Sequence, residues 1–128
     1  MINSETPIDF SINKIIGNYR LVYSNLIEIS QGGPEVGTIS IDGKEISSYK
    51  FGGPILHDNK KLYIPFFIRK FCISGFRLCK INLETLNIEM IGDIKNLIYL
   101  DKIEGDKILF FEDMKRSKMS FYHLNDKK

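Results

Sequence analysis

Hydrophobic and polar positions along most of the chain alternate with a period near two, which is the signature of half-buried β-strands. Residues 19–29 (YRLVYSNLIEI) are rich in strand formers. Residues 36–41 and 44–51 flank Asp42-Gly43, a strong signal for a type I′ hairpin, because both central positions need positive φ. That turn sets Ile39 against Ile46 and Ile41 against Lys44. Further strands are expected at 55–57, 61–73, 77–83, 87–91, 96–103, 107–112 and 119–124. Asp58-Asn59, Thr85 to Asn87 and Glu104-Gly105-Asp106 provide turns between them. Gly75-Phe76 has the glycine that a type II′ turn wants in its first central position. Pro65 lacks an N–H for a ladder, so it marks an edge, a bulge or a bend.

The first segment carries two patterns. Thr6-Pro7-Ile8-Asp9 has the form of a helix start, and Ile8, Ile12, Ile15, Ile16 and Tyr19 follow at helical spacing. Ile8, Phe10 and Ile12 also alternate as a strand would. The reading adopted is a short helix over residues 7–16, stopped by Gly17. The chain as a whole then reads as one all-β domain over residues 1–128. It is an antiparallel meander of about nine strands closing as a barrel or a sandwich, with a short N-terminal helix. No 10–15-residue amphipathic segments separate the strands, so parallel βαβ units are not expected.

Composition supports this picture. The chain has 128 residues with 21 Ile, no Ala and no Trp, which disfavours a helical bundle. A chain of this length can bury a core without disulfide or metal staples. The net charge of +2 is too small to imply a nucleic-acid surface. Basic residues cluster at Lys60-Lys61, Arg69-Lys70 and Lys115-Arg116-x-Lys118 and read as solvated turns and edges. The N-terminus lacks a signal-peptide pattern, and no apolar run approaches the roughly 18 residues that span a bilayer. The expected location is the cytoplasm, with no membrane partner.

Candidate chemistry is sparse. With a turn at Gly75-Phe76, Cys72 falls opposite Cys79, on the apolar face that holds Ile64, Phe66 and Ile68 on one strand and Ile81 and Leu83 on the next. Two buried free thiols are the expectation in a reducing compartment, and a cross-strand disulfide is the alternative. A shift of one residue would set Arg77 opposite Cys72 instead. His57 and His123 are the two histidines, and neither lies in a GxSxG or HExxH context. GGPEVG (32–37) and GGP (52–54) lead into strands, not helix N-termini, so they are not phosphate cradles. The carboxylates from Glu84 to Asp113 lie mostly in or beside turns and form no pair that marks a glycosidase. No catalytic residue, metal ligand or cofactor is expected.

Tyr63, Phe67, Arg69 and Phe71 share the face of the long strand opposite Ile64, Phe66 and Ile68. Either this set points outward, with the aromatic and Arg composition of an interface hot spot, or the strand is buried on both faces. These four are the candidate partner-binding residues.

Three resemblances bear on function. Gly17-Asn18-Tyr19-Arg20-Leu21-Val22-Tyr23-Ser24 resembles the opening strand of lipocalins and fatty-acid-binding proteins, with Tyr19 where Trp is usual. That resemblance implies a barrel with an interior pocket for an apolar ligand. Residues 53–64 and 78–92 resemble blade strands of β-propellers, although the chain is too short for a whole propeller. In size and lack of catalytic motifs the chain is similar to small immunity proteins of bacterial toxin systems, including contact-dependent inhibition. That similarity implies a non-enzymatic module that binds one protein, a toxin domain, by steric occlusion. Such proteins often carry acidic surfaces, and the +2 charge departs from that pattern.

Overall fold

Short-range turn chemistry builds the strands. The structure, a computed structural model, describes residues 5–70 and 72–124. In chain order the strands are β1 (Asn13–Ile16), β2 (Tyr19–Glu28), β3 (Glu35–Ile41), β4 (Lys44–Glu45), β5 (Lys50–Phe51) and β6 (Leu56–Asp58). They continue with β7 (Lys61–Lys70), β8 (Ile73–Asn82), β9 (Ile88–Lys95), β10 (Tyr99–Glu104), β11 (Lys107–Phe111) and β12 (Met119–His123). Asp42 and Gly43 both take positive φ, 51° and 84°, and set Ile41 against Lys44. The Ile46 N–H donates to the Ile39 carbonyl at 2.9 Å, which completes the expected register. Asn59 and Gly105, also at positive φ, turn the β6–β7 and β10–β11 hairpins.

The N-terminal helix expected over residues 7–16 does not form, and no helix occurs among the described residues. The capping signal is real but is spent on a single turn. Thr6 Oγ1 accepts from the Ile8 and Asp9 N–H groups, and Thr6 and Asp9 exchange backbone hydrogen bonds. The chain then extends, because Phe10 buries its ring against Tyr23 and Ile16 enters the core at the end of β1. In this segment packing overrides helical spacing.

The strands make two antiparallel sheets. The first sheet has nine strands: seven follow the path β1-β2-β3-β5-β7-β8-β9, and β4 is attached to β3 and β6 to β7. β10, β11 and β12 form a second sheet. The segment expected as one strand over 44–51 divides at Ser47 (φ 57°), and β5 crosses to join β3, through Gly37, to β7. Pro65 lies inside the sheet and not at its edge. Its neighbour changes there from β5 to β6, and its carbonyl accepts from Gly52 on the side where its missing N–H would point.

Of the two arrangements expected for the meander, a barrel or a sandwich, a closed barrel does not form. After β9 the chain turns away and buries Leu97 and Ile98, so that the second sheet packs on the back of β7 and β8. Two cores result. The first joins Leu21, Tyr23, Ile39 and Ile41 of β2 and β3 to Leu62, Ile64, Cys79 and Ile81 of β7 and β8. The second lies between the other face of β7–β8 (Tyr63, Phe76, Leu78) and Tyr99, Leu100, Ile108 and Phe110. The β7–β8 hairpin is therefore a wall shared by both cores. Burial of a large apolar side chain is worth about 1.5–3 kcal/mol, so this doubly covered hairpin concentrates the apolar stabilisation.

The hairpin also corrects the expected turn. β7 and β8 pair in unbroken register from Lys61↔Asn82 to Lys70↔Ile73, so the chain reverses between Lys70 and Ile73 and not at Gly75-Phe76. Gly75 pairs with Ile68 instead. A Cβ there would come within 2.6 Å of the Lys95 carbonyl and 2.7 Å of the Ile94 side chain, so this glycine permits the close approach of β9.

Candidate surface site at the end of the β7–β8 hairpin

Strand alternation splits the distal half of β7. Phe66, Ile68 and Lys70 share the first-core face, and Phe67 and Arg69 the other. Tyr63 was expected either on an outward face or on a strand buried on both faces; it follows the second alternative, buried in the second core, and presents no surface to a partner. The reason is the second sheet, which covers that face of β7. Phe67 is half-buried, with its ring 5.3 Å from that of Phe76. The Arg69 guanidinium lies 5.3 Å above the Phe67 ring and donates to the Ile29 carbonyl at 3.3 Å. Phe67 and Arg69 are thus brought together near the surface, and Tyr63 is not among them. Phe71 lies outside the described residues.

The hairpin overshoots its cover. On the first-core face, burial is complete at Leu62 and Ile64 and ends at Phe66, leaving Ile68 half-buried and Lys70 exposed. Beyond that point the face is a groove of about 410 Å³ lined by Tyr49, Phe66, Ile68, Lys70, Arg77 and Met90, and bordered by Phe67 and Arg69. A second hollow of about 480 Å³ adjoins it, and Ile68, Lys70 and Arg77 belong to both. Ile73, Gly92, Asp93 and Ile94 complete this second hollow. Tyr49, Ile73 and Ile94 are 52%, 53% and 41% exposed, unusual for such side chains in one neighbourhood. The Tyr49 ring packs edge-on against Phe66 at 4.9 Å, which anchors one rim.

The charge at this end is one-sided. Arg77 donates from Nε to the Gly92 carbonyl at 2.8 Å, which fixes its side chain against the β9 bulge. Among the described residues no carboxylate lies within ion-pairing distance of Arg69, Lys70 or Arg77. Asp93 is the one acid lining the second hollow.

The groove shares β7 with the residues singled out from sequence, and Phe67 and Arg69 are common to both, but its floor is the opposite face of the strand. Sequence reasoning misses Tyr49, Ile68, Ile73, Arg77, Met90 and Ile94. A reversal between Lys70 and Ile73 puts Ile73 on the Ile68 face by simple alternation, but no glycine or asparagine in the sequence marks it.

The remaining chemistry is quiet. Cys79 is fully buried opposite Ile64, and desolvation pushes its thiol up to about 12, so it is no thiolate at neutral pH. Cys72 is exposed at the hairpin tip, and both thiols are free. Free thiols were expected, but Cys72 is neither buried nor opposite Cys79, because those two expectations rested on the turn at Gly75-Phe76. His57 is exposed on β6, and His123 stands 3.6 Å from the exposed Asp106 carboxylate. Among the described residues no group of three or more His, Cys, Asp or Glu is placed to hold a metal ion. Glu112 is the most elaborated carboxylate. It accepts from Ser120 and lies 3.5 Å from Lys95 and 3.4 Å from Lys118. Those partners hold its carboxyl below the ordinary value, the Ser120 hydrogen bond most of all. It ties the end of β9 to the second sheet. Among the described residues no helix is long and apolar enough to cross a membrane.

No family model, curated protein or solved structure matches the chain.

Proposed function

We propose that this chain is a non-enzymatic protein-binding module and, most specifically, an immunity protein that neutralises a cognate bacterial toxin by covering its working surface in the cytoplasm. The observation behind this reading is the uncovered end of the β7–β8 hairpin. There Tyr49, Ile73 and Ile94 leave large apolar side chains in water beside Arg69, Lys70 and Arg77. Aromatic, aliphatic and Arg side chains grouped on a rigid sheet are the composition of interface hot spots. This end continues directly from a stretch of the same strands packed by a core on each face, so little ordering entropy is lost on docking. Phe67 and Arg69 contribute at the border of the same surface; Tyr63 supports it from within.

Carriage of an apolar ligand, which the resemblance to lipocalins implies, has less support. The sheet does not close, and the space inside its curve is filled by Leu21, Ile39, Ile64 and Ile81. The test is co-expression with neighbouring genes, followed by identification of whatever co-purifies. The expected partner is a small protein at equal stoichiometry that is toxic alone, harmless in the complex, and released by Ile73→Asp. Retention of a lipid in place of a protein, or toxicity undiminished by co-expression, would sink the proposal.

A further inference from the structure

We infer that the groove at the hairpin end takes an acidic segment of the protein partner, one that carries apolar side chains between its carboxylates; this rests on the protein-binding reading above. The first observation is electrostatic. Lys70 and Arg77 line one groove with Arg69 at its border, and no carboxylate of the described residues pairs with any of them. The chain's net charge is only +2, so three unpaired cations at one groove are a local concentration, not a share of a basic surface. Other lysines do meet carboxylates: Lys95 and Lys118 meet Glu112, and Lys80 meets Glu89. An uncompensated cluster of this kind steers and selects an acidic partner.

The second observation is the groove's floor. Phe66, Ile68 and Met90 offer apolar surface between the cations, and Tyr49 stands at the rim. Methionine and isoleucine suit side chains of a polypeptide. A nucleic-acid strand would carry its phosphates past Asp93 in the adjoining hollow. The pattern therefore favours a segment in which carboxylates reach Arg69 and Lys70 while Leu, Ile or Phe side chains fill the floor. It also disfavours a basic nuclease as the toxin.

The test uses the full chain and three fluorescent probes: a ten-residue peptide alternating Glu with Leu, the same peptide with Lys for Glu, and a single-stranded oligonucleotide. Anisotropy gives affinity, and amide shifts in a ¹⁵N spectrum give the location. The acidic peptide is expected to bind, to shift the amides of Ile68, Lys70, Arg77 and Met90, and to weaken as salt rises from about 0.05 to 0.5 M. Arg69→Glu with Lys70→Glu, both at exposed positions, is expected to lower its affinity at least about tenfold, with an otherwise unchanged spectrum. Tighter binding of the basic peptide or the oligonucleotide, absence of binding by the acidic peptide, or shifts confined to the β10–β12 sheet would overturn the inference. The co-purification experiment stays independent: a toxic partner that binds through a neutral or basic face would uphold the proposed function and refute this one.

Discussion

Cys79 stands opposite Ile64 in the β7–β8 ladder, and both side chains are fully buried. Cys72 lies at the tip of the same hairpin, seven residues back along the chain. At about 3.4 Å per residue the two thiols are roughly 20 Å apart, far beyond disulfide reach. The native protein is expected to react with a maleimide at one thiol, and at two after denaturation. Mass spectrometry should place the first adduct on Cys72. Rapid labelling of both, or of neither, would mean that the chain reverses elsewhere.

Gly92 takes φ 76°, and a Cβ there would collide with the ring of Tyr122. Gly92→Ala therefore meets two obstacles, a left-handed backbone and a filled space, and is expected to cost roughly 1–3 kcal/mol. The same change in a Tyr122→Ala background should cost less, because the steric part is gone. Urea denaturation of the four proteins in the cycle measures that coupling. Additive costs would show that the second sheet does not pack its Tyr122 over the β9 bulge.

The Tyr23 hydroxyl donates to the Gly52 carbonyl deep in the first core. Tyr23→Phe leaves that carbonyl unpaired, at an expected cost of about 1–3 kcal/mol. Burial, and secondarily the charge of Glu5, raises the Tyr23 phenol well above its ordinary value. In the folded protein this phenol keeps its proton where the unfolded chain would release it. Its contribution is therefore complete below about pH 10 and is lost as pH rises further. Alkaline denaturation should come at lower pH for wild type than the other tyrosines alone would dictate, and Tyr23→Phe should blunt that sensitivity. An unchanged alkaline limb would contradict the burial of this hydroxyl.

Glu112 behaves in the opposite sense. Ser120, then Lys95 and Lys118, hold its carboxyl below the ordinary value, so the folded state binds its proton less readily than the unfolded chain. Its contribution is present above about pH 4 and is lost as pH falls through the lowered folded value. Glu112→Gln should be less stable than wild type at neutral pH, with the gap narrowing in acid. A gap independent of pH, read from urea midpoints at several pH values, would remove charge from the explanation.

The all-β class and most hairpins were legible because their causes are local. Asp42-Gly43, Asn59 and Gly105 need only their own backbone to turn the chain. The failures have non-local causes. Thr6 carries a genuine cap, but Phe10 and Ile16 are claimed by the core before a helix can form. Gly75 resembles a turn residue, yet it serves the approach of β9 from twenty residues away. The choice of face on β7 depended on where the β10–β12 sheet would dock, and nothing within residues 61–73 encodes that. Tyr63 was consequently singled out as a partner-binding candidate, whereas Ile68 and Arg77 line the groove.

The wall shared by two cores also limits how this chain can change. Between Leu62 and Phe66 every side chain is buried, so neither parity of the strand can absorb a charge. Drift there is confined to swaps of one apolar shape for another. The same wall forbids shortening. A chain ended after Lys95 would strip the cover from Tyr63, Phe76 and Leu78 and bare a sticky apolar sheet face. The last three strands are thus a cover that the rest of the fold needs to keep that apolar face from water, and the uncovered hairpin end is a stretch of the wall where this constraint is lifted.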